Sequence, residues 1–457
     1  METALKRQPA DFTEGSVIGS ILKMGLPSMF GFLSQHIYAM TDMFWVSKLN
    51  EGEAGVAAIT FFANMMWLLF SFNHLVGTGS VAVISRRYGE RNYTQTEKAI
   101  KETFLLKFGL GVPLAVAGWF ILPTMLKLLG AEGETLALGI VYGRVMLIGL
   151  PVMYTAYSVF TALRGVANPN LAMGLMLGSN FLNLVLDPLF IFGYLGLPAM
   201  GIKGAAVASV LSFTLTLTVG VGLFATRLTN VRLRIAGAAP LGIASAWKIV
   251  RIGIPAWLGE LSWSGSRLLL TPIVAAYGTP VVAAYGVATQ WFSFGIMILV
   301  GIGLGLSSLI GHNIGGGKLD RAKKTADQAL LLAISIMTVI GLLTFLFARQ
   351  YVSLFFDSGE TVEHGVEILR IFALSYPFFG IFIMLEHIHS GVGLNSPVMV
   401  LISIHAWGLQ VIPSLLVTNV FGFDQTAIWV VLTCSGVVTS MLFYLYYRRG
   451  KWLTVSV

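Results

Sequence analysis

Gly25-Leu26-Pro27 returns as Gly253-Ile254-Pro255, and the recurrence continues along the chain. Ala57-Ala58 returns as Ala283-Ala284, Tyr88-Gly89 as Ile314-Gly315, Arg144 as Arg370, Pro151 as Pro377 and Arg164-Gly165 as Ser390-Gly391, always 226–228 residues on. A repeat of half the chain restricts the fold to two similar halves, and in a very apolar chain it points to two helical bundles of the transporter kind. The halves differ where charge is concerned. Asp42 and Asp187 sit in apolar stretches of the first copy, and their counterparts are Leu270 and, near enough, Pro413.

A chain that is 56% hydrophobic and 11% charged, with a mean hydropathy of +0.80, is an integral membrane protein. Apolar runs of roughly 20 residues recur throughout, as spanning helices require. The short alternating segments of a membrane barrel do not occur. The expectation is an all-α protein of twelve transmembrane helices in two pseudo-symmetric six-helix bundles. The helices are read at 17–47, 54–86, 99–129, 137–167, 169–193 and 201–226, then 245–277, 280–314, 323–352, 363–393, 397–420 and 425–448. The first lobe covers 1–226, a cytoplasmic linker 227–250, and the second lobe 251–457. Thr94-Gln95-Thr96-Glu97 has capping-box spacing and is expected to start the third helix.

Lys and Arg fall in alternate loops: Arg86, Arg87, Arg91 and Lys98; Arg227, Arg232, Arg234, Lys248 and Arg251; Lys318, Arg321, Lys323 and Lys324. Lys6, Arg7, Arg448, Arg449 and Lys451 add the termini. The opposite loops hold Lys48 and Lys127 beside Glu51, Glu53, Glu132, Glu134, Asp357 and Glu360. The positive-inside rule places the basic loops and both termini in the cytoplasm. This distribution explains the +8 net charge without nucleic acid. The single cysteine, Cys434, excludes a disulfide framework, and the polar, mixed-charge first sixteen residues are unlike a signal peptide.

Carboxylates inside a bilayer are functional suspects, because a charge there is unfavourable by a few kcal/mol. Asn180, Asn183 and Asp187 follow i, i+3, i+7 spacing, so they share one face of helix 5. Pro188 disturbs the ladder beside Asp187. Asp42 follows Pro27 on helix 1, and one cavity lined by Asp42 and the helix 5 face is expected, with Asn183 bonded to Asp187 or to a shared ion. The structural alternatives are a polar seam joining helices and, for Asp42, an acceptor near a helix end. In the second copy, Glu260 and Arg267 lie two turns apart, and Glu386 stands beside His387 and His389. An ion pair, interfacial residues or a second proton site are all open there. His36, His74 and His405 are lone histidines suited to packing. Gly311–Lys318 lacks the Ser or Thr and the strand of a phosphate loop, and reads as a cytoplasmic turn. With no nucleotide motif, the chain is expected not to be an enzyme and to need no cofactor. Energy then comes from an ion gradient or another subunit.

The order and spacing of several segments resemble the multidrug and toxic compound extrusion (MATE) family over nearly the whole chain. They are Gly25-Leu26-Pro27; Thr41-Asp42 with Gly55-Val56-Ala57-Ala58; Arg86-Arg87-Tyr88-Gly89; Leu163-Arg164-Gly165; Asp187-Pro188; Gly201 to Ala206; and Gly311 to Gly316. Acids in the first copy are similar to the DinF-like branch. The resemblance implies a first-lobe coupling site for H⁺ or Na⁺ at Asp42, Asn183 and Asp187, with Asn180 on the same face. It also implies a cavity tyrosine at Tyr142 and a helix 6 hydroxyl at Ser209. If the ion is Na⁺, its ligands are Asp42, Asp187 and Asn183. Where the family often has a helix 4 amide, this chain has Tyr157, Ser158, Phe160 and Thr161, which leans toward protons. The implied function is cation-coupled export of cationic or amphipathic drugs and toxic organic compounds by alternating access, with helix 1 rearranging at Pro27. The implied setting is a monomer in the lipid bilayer of a plasma membrane, the inner one in a bacterium. The rival is a lipid-linked oligosaccharide flippase of the wider superfamily, which needs a cationic cavity where Arg267 stands nearly alone.

The basic loops generate a topological prediction. With Cys434 replaced by Ser, cysteines at Thr94 and Asp320 should react with an impermeant maleimide from the cytoplasmic side only. Labelling of both from outside intact cells overturns the orientation.

Overall fold

Each basic loop joins two long helices, and every predicted span is helical. The computed structural model describes residues 12–226, 228–234, 242–356 and 359–455, without the side chains of residues 36, 37 and 39. Lys6, Arg7, Arg227, Asp357 and the His36 side chain therefore lie outside the described residues. The first lobe holds α1 (Val17–Val46), α2 (Gly52–Gly89), α3 (Tyr93–Leu128), α4 (Gly133–Gly165), α5 (Pro169–Phe192) and α6 (Ile202–Ala225). The second holds α7 (Ile243–Ala275), α8 (Thr279–Gly315), α9 (Leu319–Val352), a two-piece α10 (Glu360–Ala373 and Tyr376–Val392), α11 (Asn395–Asn419) and α12 (Gln425–Arg448).

Among the described residues, ten helices are long and apolar enough to cross a membrane, and the bent pair makes eleven. The twelfth, α7, is 33 residues long but carries Lys248, Arg251, Glu260 and Arg267. It also starts earlier than expected. The linker read over 227–250 ends at Gly242, because no Gly or Pro interrupts the chain from Ile243 to Arg251. The linker is tied to α3: the Arg234 N–H donates to Glu97 Oε1 at 2.6 Å and the Gly242 N–H to Glu102 Oε1 at 3.0 Å. Glu97 thus does not complete a capping box. The cap of α3 is Asn92, whose side-chain oxygen accepts from the Gln95 N–H at 3.1 Å.

Helix 10, expected in one piece, is bent by 55°. Pro377 has no N–H for the Ala373 carbonyl, and its ring collides with that group. The Ala373 carbonyl points at α9 where Gly341 gives it room, a Cβ there lying 2.9 Å away. Its counterpart Pro151 sits within the uninterrupted α4. α11 also departs from a regular helix, with a π segment over Ile404–Val411 just before Pro413. α1 runs unbroken through Pro27.

The lobes meet as α1 on α8 and α2 on α7, a pairing that exchanges under the repeat. Val17 and Ile21 of α1 belong to the apolar core of the second lobe. Two glycines 226 residues apart make backbone contact possible. A Cβ on Gly79 would lie 2.0 Å from the Ile249 carbonyl oxygen, and one on Gly305 2.4 Å from the Met24 carbonyl oxygen. Both sit about 15 Å from the basic-loop ends of α2 and α8 at 1.5 Å per residue. Gly305→Ala cannot be absorbed by a flexible side chain, so it should destabilise by about 1–3 kcal/mol. Gly222→Ala, in open space on α6, should be neutral or stabilising. Thermal unfolding of the purified variants in detergent measures both. Equal melting temperatures would show that the lobes need no such approach.

Candidate functional site

Inside the first lobe, four helices aim polar side chains at one point. Asp42 of α1 is 3% exposed, and Asn183 and Asp187 of α5 are fully buried. Tyr142 of α4 donates to Asp42 Oδ2 at 3.1 Å, and Ser209 of α6 donates to the same oxygen at 3.1 Å. Four residues along a helix is one turn, so Asn183 lies beside Asp187 and donates to its Oδ1 at 3.0 Å. The same amide reaches Ser209 Oγ at 3.4 Å. Ser209 therefore links the α1 acid to the α5 face. The site is walled by rings, Phe62 edge-on to Tyr142 at 5.4 Å and Tyr38 edge-on to Phe213 at 5.8 Å.

Three oxygens of this cluster, Asp42 Oδ1, Asn183 Oδ1 and Asp187 Oδ2, are buried without a hydrogen-bond partner. Leaving one buried acceptor unsatisfied costs about 1–3 kcal/mol. All three are acceptors, so only a donor or a cation satisfies them together. An all-oxygen set of this kind suits a proton or a hard monovalent ion, and not a soft transition metal.

The structure thus brings together Asp42, Asn183, Asp187, Tyr142 and Ser209, and separates two other predicted residues. Asn180 does not join the cluster. It lies about 10 Å along α5 from Asp187, and its amide donates to Ser34 Oγ of α1 at 2.7 Å. A shared helix face permits a shared cavity, but one of its residues bonds a different partner. Pro27 lies about 22 Å along α1 from Asp42, where α1 packs on α8.

In the second lobe, Glu260 accepts from Ser264 at 3.4 Å and makes no ion pair with Arg267 among the described residues. His389 Nδ1 lies 2.7 Å from the Leu385 carbonyl instead of bonding Glu386. His405 packs as expected, stacked on Trp263 at 5.3 Å with its Nδ1 2.9 Å from Thr439 Oγ1. Gly311 to Gly315 form the last turn of α8 rather than a loop, and His312 Nε2 lies 2.7 Å from the Gly165 carbonyl. Lys107 is a further charge in an apolar helix, outside the residues predicted from sequence. This residue is 1% exposed in the apolar middle of α3, and its amino group donates to the Asn73 carbonyl at 2.7 Å and to the Asn73 side chain. Its signal was present, a single lysine in an otherwise apolar run.

Comparison with known proteins matches this architecture along nearly its whole length. The family model MatE fits twice, over residues 27–189 and 255–416. A probable multidrug resistance protein of Bacillus subtilis, YoeA, is 28% identical over 428 residues, covering 93% of this chain and 92% of its own. The multidrug export protein MepA of Staphylococcus aureus is 25% identical over 448 residues, covering 97% of each chain. A crystal structure of a MATE protein in a bent conformation superposes with a TM-score of 0.89 at 24% identity over 97% of both chains.

The split along α5 is testable by double-mutant cycles in thermal unfolding. Ser34→Ala and Asn180→Ala should couple by about 0.6 kcal/mol, as interhelical bonds in membranes do. Asn180→Ala and Asp187→Asn should add to within about 0.5 kcal/mol. Strong coupling of the second pair would return Asn180 to the cluster.

Proposed function

The chain belongs to the MatE family, a family of transporters and not of enzymes, and we propose that it exports cationic or amphipathic organic compounds, drugs among them, in exchange for H⁺ or Na⁺. The observation that carries the coupling is the acid pair of the first lobe with its three unsatisfied oxygens. The relatives named for multidrug resistance and export align along almost the full chain, which favours export over the flipping of a lipid-linked sugar.

In this reading, the lobes are closed on the cytoplasmic side, where Gly79 and Gly305 allow backbone contact. Asp42 and Asp187 take up one cation from outside, and Asn183, Ser209 and Tyr142 orient them. Asp42 hangs from α1 while Asn183 and Asp187 hang from α5, so a cation shared between them draws α1 toward α5. α1 also packs on α8, and its movement is felt at the lobe interface. Lys107, bonded to Asn73, holds α2 on α3. The protein resides in the plasma membrane with its basic loops inside.

Proteoliposomes loaded with a fluorescent cationic dye and given a pH or sodium gradient test this. Asp42→Asn and Asp187→Asn should each lose about tenfold or more in gradient-driven efflux, while dye binding at equilibrium persists. Glu260→Gln and Glu386→Gln should stay within about twofold of the parent. Normal efflux by Asp187→Asn would reduce that residue to structural glue. Damage by Glu260→Gln equal to that of Asp42→Asn, at normal protein level, would move the site to the second lobe.

A further inference from the structure

The basic face holds contacts that the family's transport chemistry does not require. Lys318 and Arg321 stand at the turn from α8 to α9, in the second lobe, yet both grip the segment leading into α1 of the first. Lys318 Nζ donates to the Thr13 hydroxyl at 2.8 Å and the Thr13 carbonyl at 3.1 Å, and pairs with Glu14 at 3.4 Å. Arg321 donates to the carbonyls of Gly15 at 2.8 Å, Glu14 at 2.8 Å and Phe12 at 3.2 Å, and to Ser20 Oγ at 3.3 Å. Phe12 packs against the apolar core of the second lobe. A guanidinium fork on several main-chain carbonyls holds a defined path of chain and not merely a charge.

The other end of the chain makes the reciprocal crossing. Trp452 is 2% exposed and stacks on Tyr447 of α12 at 5.3 Å, which anchors the C-terminal segment in the second lobe. From there the Val455 carbonyl accepts from Arg86 Nη1 of α2, in the first lobe, at 2.5 Å. Each lobe thus captures a terminal segment of the other on the same face.

We propose that these two crossed straps form a cytoplasmic clasp that holds the lobes together on the basic face and must release before that face opens. Opening α1 from α8 at this end carries residues 12–16 away from Lys318 and Arg321. Separating α2 from the second lobe carries Arg86 away from Val455. The clasp biases the resting chain toward the state closed on this side, and its release belongs to the slow step of the cycle. It rests on the alternating-access reading.

The test uses the full chain in liposomes without substrate. Spin labels at Thr94→Cys and Lys323→Cys, both exposed on this face, report the separation of the lobes in a Cys434→Ser background. The Lys318→Ala/Arg321→Ala variant should enlarge the long-distance population about threefold or more relative to the parent. Arg321→Lys keeps the charge and loses the fork, and should move the population in the same direction by less. Lys324→Ala removes a charge from the same turn of α9, and Lys324 makes no hydrogen bond to the strap among the described residues although it lines the same pocket as Gly15 and Ser16, so the distances should stay unchanged. Identical distributions in parent, double variant and Arg321→Lys overturn the clasp, whether the parent shows one distance or two. An equal shift from Lys324→Ala overturns it as well, since the effect is then one of net charge. A failed export assay with the double variant's distances shifted would sink the export reading and leave the clasp standing.

Discussion

Two carboxylates among apolar helices set the terms for the rest of the first lobe. Each is unfavourable by a few kcal/mol inside a bilayer unless its oxygens are met by donors or a cation. The chain supplies only some of the donors, the Tyr142 and Ser209 hydroxyls on Asp42 and the Asn183 amide on Asp187. These come from three helices, so α4, α5 and α6 must converge on α1 at the depth of Asp42. A fully satisfied network would fix that arrangement permanently. Here Asp42 Oδ1, Asn183 Oδ1 and Asp187 Oδ2 remain unmet, and the packing of α1 against α5 depends on what meets them.

The duplicated scaffold gives this local chemistry something to act on. α1 belongs to both lobes: it carries Asp42 into the first, and its Val17 and Ile21 are part of the core of the second. The exchanged pairing of α1 with α8 and α2 with α7 gives the interface two similar seams, beside the contact of α2 with α8. At Gly79 and Gly305 the helices touch backbone to backbone. Small residues at such contacts allow close approach with few interlocking side chains to be pulled apart. Symmetry fails where it is locally cheap to fail. Pro151 and Pro377 are equivalent in sequence, yet only α10 breaks, where Gly341 makes room for the freed Ala373 carbonyl.

Much of this was legible in the residues. The helices follow from apolar runs that no globular fold can hide, and the repeat fixed their grouping. Asp42, Asn183 and Asp187 could be found because polar atoms in such runs are few. Tyr142 and Ser209 came only through family resemblance, since nothing in a tyrosine or serine on an apolar helix marks what it faces. Asn180 bonds apart from the cluster, because helical spacing says which residues share a face and not which side chain each one meets. Ser34, its partner, is 146 residues away in sequence. Lys107 was passed over although it obeys the same rule as the aspartates, and its Asn73 partner depends on how α2 packs on α3. The linker's end and the Asn92 cap were lost for local reasons, a helix continuing into polar sequence and a competing capping residue two positions earlier.

Scale connects the site to the basic face. One charge crossing 100 mV is worth about 2.3 kcal/mol, comparable to one or two hydrogen bonds between a charged donor and a carbonyl. A switch driven by one cation therefore cannot hold its closed state with a large rigid interface, because the drive would never overcome it. It needs a small number of bonds whose sum lies near the driving energy. Solvent-exposed ion pairs such as Lys318–Glu14 add little, with side chains 37% and 71% exposed. The bonds from Arg321 to three carbonyls, the one to Phe12 part-buried and those to Gly15 and Glu14 exposed, are few and individually modest, which suits such a threshold. On this argument, the lobes are held in the closed arrangement as much by the straps that cross at the basic face as by the helix seams beneath them.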